Sequence, residues 1–211
     1  MFKLFEFLQL LYYDFKHPPI IRPYGITCYV GLPGCGKTLS MAERLLDLKL
    51  QFPKAKIYTN FGFKDQDGII TRWEDLVTIE NGEDGVIFGL DEVHDIFNRK
   101  DWADMPSTVL TMFSQNRKMA KQFICTAQSF ADVGIDLRRR CHYIIECSNI
   151  RGRWVFQRAF LPTDYAERDG TRSERRRAWR YNFIADNEIY ESYDTYALIK
   201  SIRSDISKKL S

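Results

Sequence analysis

The chain has 211 residues, of which 45% are hydrophobic and 28% charged, with 12 glycines and seven prolines. That leaves room for one α/β domain with a sizeable core and an appendage, and it excludes a disordered or collagen-like chain. The formal net charge of +3 conceals an uneven distribution, since residues 74–104 carry a net −8 and residues 138–180 a net +7 made entirely by arginines. An arginine-only cluster suits bidentate contact with an anionic partner, a solvated face being the alternative. The five cysteines, Cys28, Cys35, Cys125, Cys141 and Cys147, contain no C-x-x-C pair. They predict buried thiols rather than a disulfide framework or a zinc site. No run approaches the ~18–20 apolar residues of a membrane-spanning helix.

Residues 1–16, MFKLFEFLQLLYYDFK, lack a cleavage site and are interrupted by Glu6, so they do not read as a signal peptide. At ~100° per residue, Leu4, Phe5, Leu8, Leu11, Tyr12 and Phe15 fall on one face and Lys3, Glu6, Gln9, Tyr13 and Lys16 on the other, which predicts an amphipathic helix. Its aromatic face suits a membrane surface. The alternative is packing on its own domain or on a neighbouring subunit, which the weakly basic polar face favours.

A short β-prone run, Ile26 to Val30, leads directly into Gly31-Leu32-Pro33-Gly34-Cys35-Gly36-Lys37-Thr38. This is a full G-x-x-x-x-G-K-[ST] phosphate loop, and Leu39 to Leu50 follow it as a helix. Glycines let the backbone curl with its N–H groups inward, and the helix N-terminus adds partial positive charge. Lys37 is placed for the β- and γ-phosphates of ATP, and the Thr38 hydroxyl for Mg²⁺. A second apolar run, Gly85 to Leu90, ends in Asp91-Glu92 and reads as a buried strand delivering acids to its carboxyl end. Asp91 is expected as the magnesium acid and Glu92 as the base that polarises the attacking water.

A further helix is expected from Pro106-Ser107 through VLTMFSQNRKMAK, carrying Arg117 near its end, with an arginine finger for a neighbouring subunit or a surface salt bridge as the alternatives. The strand Gln122 to Thr126 then ends in Ala127-Gln128, whose amide is placed to sense the γ-phosphate. Two more strands are expected at residues 143–147 and 154–160.

With GLPGCGKT, IFGLDE, SQNRK and ICTAQSF in this order, the chain resembles the FtsK/HerA superfamily of DNA-pumping ATPases over residues 27–147. Within it, the sequence is similar to the genome-packaging ATPases of tectivirus-type phages and to the zonula-occludens-toxin-like assembly ATPases of filamentous phages. The resemblance implies an α/β P-loop NTPase of RecA/ASCE-like type, with a central, mostly parallel sheet flanked by helices. It also implies Lys37, Glu92, Gln128 and Arg117 as the catalytic set, ATP and Mg²⁺ as ligands, and a ring, expected as a hexamer, with double-stranded DNA in its channel. The expected division is an N-terminal helix and Pro-rich linker at 1–22, an ATPase core at 23–161 and an Arg-rich extension at 162–211. Relatives of the filamentous-phage branch usually continue into a membrane-spanning helix. The 211 residues contain none, which favours packaging into a preformed capsid, with capsid or portal-vertex proteins as partners. Membrane-associated assembly or extrusion is the alternative. The expected location is the host cytoplasm or the particle vertex, soluble or peripheral through residues 2–16.

Overall fold

The structure is a computed structural model and describes residues 2–16, 21–93, 107–166 and 176–194. In chain order these form α1 (Phe2–Lys16), β1 (Gly25–Val30), α2 (Lys37–Gln51), β2 (Lys56–Thr59), β3 (Gly68–Ile69), α3 (Trp73–Thr78), β4 (Val86–Leu90), α4 (Ser107–Ser114), β5 (Lys121–Ala127), α5 (Ile135–Arg138), β6 (Tyr143–Ile150), β7 (Trp154–Phe160), α6 (Pro162–Ala166), β8 (Arg177–Ile184) and α7 (Asn187–Glu191).

The strands build one eight-stranded sheet in the order β3-β2-β4-β5-β1-β6-β7-β8. The six strands from β3 to β6 run parallel, whereas β7 and β8 are added antiparallel. Strand β5 lies between β1, which carries the phosphate loop, and β4, which carries the acids. This is the α/β phosphate-loop NTPase fold of RecA/ASCE-like type expected above. The parallel arrangement explains why the central strands read as continuous apolar runs: both of their faces are covered.

Alternation along β1 divides the core. Ile26, Cys28 and Val30 face Phe88, Phe113 and Phe123 on one side of the sheet. Tyr29 faces Met41, Leu45 and Leu48 of α2 on the other. On the first side Phe88 stacks on Phe123 with ring centroids 5.1 Å apart, and Phe113 meets Phe123 edge-on at 5.0 Å.

Three elements differ from the expectation. Helix α4 stops at Ser114, and residues 115–120 form turns. The Asn116 side chain explains the stop, because its amide donates to the Phe113 carbonyl at 2.7 Å while its oxygen accepts the Gly25 amide at 3.0 Å. Residues beyond 161, expected as an extension, place β8 in the same sheet and α7 against α2, where Ile189 packs with Leu39 and Ala42. Helix α1 forms over the expected range, but residues 3–13, 15 and 16 are all exposed, so among the described residues it finds no surface of its own domain to pack on. Among the described residues no helix is long and apolar enough to cross a membrane.

Candidate nucleotide and magnesium site

The site is assembled at the carboxyl ends of β1, β4 and β5. Residues 31–36 turn the chain from β1 into α2, with Gly31, Gly34 and Gly36 at φ values of +146°, +75° and +97°. Only glycine adopts these angles without strain. A side chain at Gly31 would in addition meet Cys35 Sγ at 2.6 Å, so the loop has one way to close. From the far side the loop is braced by Asn149 at the end of β6, whose amide donates to the Gly34 carbonyl at 2.5 Å.

Lys37 is buried at the start of α2, and its ammonium donates to the Gly31 carbonyl at 3.1 Å. The same nitrogen lies 3.5 Å from Glu92 Oε1. The next residue carries the next group: the Thr38 hydroxyl donates to the Asp91 carboxylate, at 3.2 and 3.3 Å from its two oxygens. Burial pushes the Asp91 carboxyl up, a tendency opposed by hydrogen bonds from Thr126 and Thr38 and by the Lys37 charge.

Two residues that the sequence reading missed hold these acids in place. The Thr126 hydroxyl on β5 donates to Asp91 Oδ1 at 2.6 Å and accepts the Glu92 amide at 2.8 Å. Asn60, just after β2, donates to the Asp91 carbonyl at 2.8 Å and accepts the Asp91 amide at 2.7 Å. Glu92 itself adopts a left-handed backbone, φ +46°, a conformation that the Thr126 bond fixes and that turns its carboxylate toward Lys37.

The donor set fits Mg²⁺ bound together with a nucleotide triphosphate. A hydroxyl and a carboxylate are hard oxygen donors already in contact, as this ion prefers. Among the described residues there is no group of three or more His, Cys, Asp or Glu side chains able to hold a metal. A cation between Thr38 and Asp91 would draw further ligands from phosphate and water, which is the habit of magnesium rather than of zinc or calcium.

Gln128 follows β5 and lines a cavity of about 380 Å³ with Gly31, Leu32 and Cys35, so it lies beside the loop. Arg117 is elsewhere. It is exposed, its guanidinium 5.4 Å from the Tyr24 ring, beside the amino end of β1 and therefore at the opposite end of the sheet from Thr38. It has no place in its own subunit's site. Of the arginines at the end of the 138–180 stretch, Arg172 and Arg175 lie outside the described residues, while Arg176, Arg177 and Arg180 are exposed.

The sequence pattern of the family described as Zonular occludens toxin (Zot) matches residues 42–198. The chain belongs to the Zot family. The match begins just after the phosphate loop and continues through β8. A solved structure similar to this Zot chain is that of the N-terminal domain of zonular occludens toxin from Neisseria meningitidis, at 16% identity and a TM-score of 0.61, with 82% of this chain and 100% of that chain covered. That likeness shows the fold. Also similar are the genome packaging NTPase B204 from Sulfolobus turreted icosahedral virus 2 in complex with ATP-gammaS (14% identity, TM-score 0.49, 62% of this chain and 78% of that one) and the DNA-packaging ATPase B204 from Sulfolobus turreted icosahedral virus (9%, 0.48, 79% and 100%). No curated protein matches the chain.

Proposed function

We propose that this Zot-family chain is an ATP-hydrolysing motor that moves phage DNA during virion assembly. The observation that carries this reading is the hydrogen-bonded series Thr38, Asp91, Thr126 and the Glu92 amide, set beside a phosphate loop whose lysine lies 3.5 Å from Glu92. Thr38 and Asp91 would hold Mg²⁺, which neutralises developing phosphate charge when bound. Lys37 moves from its loop carbonyls and Glu92 to the phosphates, and Glu92 then orients and deprotonates the attacking water. Gln128, which lines a cavity with loop residues, reports the state of the γ-phosphate in this proposal.

Further parts of the proposal are a ring, expected as a hexamer, in which Arg117 serves a neighbour's nucleotide, and DNA contact through the exposed arginines of β8. Of the two finer readings, family membership and the exposed apolar face of α1 favour assembly or extrusion at a membrane over packaging of double-stranded DNA into a capsid. Seven apolar or aromatic side chains, Leu4, Phe5, Phe7, Leu8, Leu11, Tyr12 and Phe15, cover one side of α1, and each is at least 48% exposed.

The test combines two measurements on the purified full chain, phosphate release with single- or double-stranded DNA and co-sedimentation with anionic vesicles. Hydrolysis stimulated by DNA, together with vesicle binding that the Leu8→Glu/Leu11→Glu variant loses, supports the membrane-assembly motor. Stimulation by double-stranded DNA without vesicle binding selects packaging instead. Absence of hydrolysis under every condition overturns the motor reading.

A further inference from the structure

A second cavity, of about 620 Å³, opens on the α2 side of the sheet between α2 and β8, away from the phosphate loop. Its size is that of a small-molecule site. The walls are rings: Tyr143 and Trp179 meet edge-on with centroids 5.8 Å apart, and Tyr181 and the buried Tyr29 line the same space. The Tyr181 hydroxyl donates to Glu43 at 2.8 Å, which holds that ring across the opening to α2.

The side chain of Gln157 in β7 lines this cavity. It is 3% exposed, and its Nε2 has no hydrogen-bond partner among the described residues. Gln157 pairs in register with Cys147 and Tyr181, so the three side chains share the face toward α2. A buried amide donor left unsatisfied costs about 1–3 kcal/mol, a cost that an aliphatic residue at this position would not carry.

The chemistry narrows the ligand. Glu43 and Asp47 are offset by Arg44 and Arg180 in the lining, so the site does not select for charge. Aromatic walls select a flat ring, and the free amide donor selects one that carries an acceptor at its edge. We propose that this cavity binds a nucleobase, stacked on the rings of β8 and hydrogen-bonded to Gln157. The base belongs either to a free nucleoside or to a single nucleic-acid strand crossing β8; the chemistry is shared. The site does not depend on the phosphate loop and stands whether or not that loop hydrolyses ATP.

The experiment uses the full chain in wild-type and Lys37→Ala forms, titrated with the four nucleosides, which carry no phosphate, and with eight-residue single-stranded oligonucleotides. Tryptophan fluorescence reads the ring contact, and Trp179→Phe assigns the signal. Saturable quenching by at least one nucleoside, equal in the wild-type and Lys37→Ala forms, is expected. Gln157→Leu is expected to weaken it about tenfold while leaving the melting temperature unchanged or higher, because an orphaned donor has been removed. Tyr181→Leu, at a half-exposed edge position, is expected to weaken it as well. Oligonucleotide binding tighter than nucleoside binding and equally dependent on Gln157 identifies a strand as the source; the reverse order identifies the free nucleoside. Three results overturn the proposal: no saturable quenching, quenching lost with Lys37→Ala, or quenching unaffected by both Gln157→Leu and Tyr181→Leu.

Discussion

Asn60 and Asp91 hydrogen-bond each other twice, the Asn60 amide donating to the Asp91 carbonyl at 2.8 Å and its oxygen accepting the Asp91 amide at 2.7 Å. A side chain thus takes the part of a neighbouring strand just where β4 ends, and it sets the direction in which the Asp91 and Glu92 side chains leave the sheet. Asn60→Ala removes both bonds. The expected result is a stability loss of about 2 kcal/mol and a hydrolysis rate at least tenfold lower, with a raised magnesium requirement. Denaturant melts and a Mg²⁺ titration of phosphate release measure these effects. A normal magnesium dependence would show that Asn60 supports only the fold.

The roles of Lys37 and Glu92 separate kinetically. Lys37→Ala is expected to abolish binding of a fluorescent ATP analogue. Glu92→Gln is expected to keep that binding and lower turnover about 10²–10⁴-fold, the usual contribution of a positioned base. If the Glu92→Gln chain hydrolyses ATP at the native rate, another group activates the water.

The thiols give a pH-dependent readout of the loop. Cys28, Cys125, Cys141 and Cys147 are buried, and burial raises all four, Cys141 and Cys147 to about 12. Cys35 is half-buried and also raised, mainly by burial and with Lys37 opposing the rise. A maleimide at pH 8 is therefore expected to label Cys35 alone in the folded chain, more slowly than a free thiol and faster as the pH rises. A non-hydrolysable ATP analogue should protect it. Peptide mapping of the labelled protein checks both points. Above pH 9 these thiols ionise in the unfolded chain while burial keeps them protonated in the folded one, so a contribution to stability that is complete below pH 9 is lost as the pH rises toward 12, and alkaline unfolding is expected in that range.

Lys121 is fully buried at the start of β5, and its ammonium donates to the carbonyls of Leu76 and Val77 at 3.0 and 2.9 Å, closing the last turn of α3. Lys121→Met leaves both carbonyls without that donor. The expected cost is about 1–3 kcal/mol of stability with nucleotide affinity unchanged, since the residue lies at the end of the sheet away from the loop. Thermal melts with and without an ATP analogue check this.

What the sequence made legible follows from where each signal resides. The phosphate loop is a contiguous backbone device, so GLPGCGKT declares itself, and β1, β4 and β5 are apolar because both faces are covered. Thr126 and Asn60 are single polar residues whose meaning arises only when β5 and β2 are brought beside β4; a threonine inside QFICTA reads as an ordinary strand residue. Strand β8, RAWRYNFI, reads as a solvated extension because it forms the sheet's outer strand, where arginines face water while Phe183 packs inward. The early end of α4 was hidden because apolar spacing continues past Ser114, and the stop comes from the Asn116 side chain reaching a distant strand.

The 3.5 Å ion pair between Lys37 and Glu92 makes the cation and the carboxylate mutually exclusive tools. On the proposed mechanism, neither would serve catalysis while they hold each other. A triphosphate that drew the lysine to itself would release the carboxylate in the same movement. Loading the fuel and cocking the trigger would thereby be one event, with no base spent on an unloaded chamber.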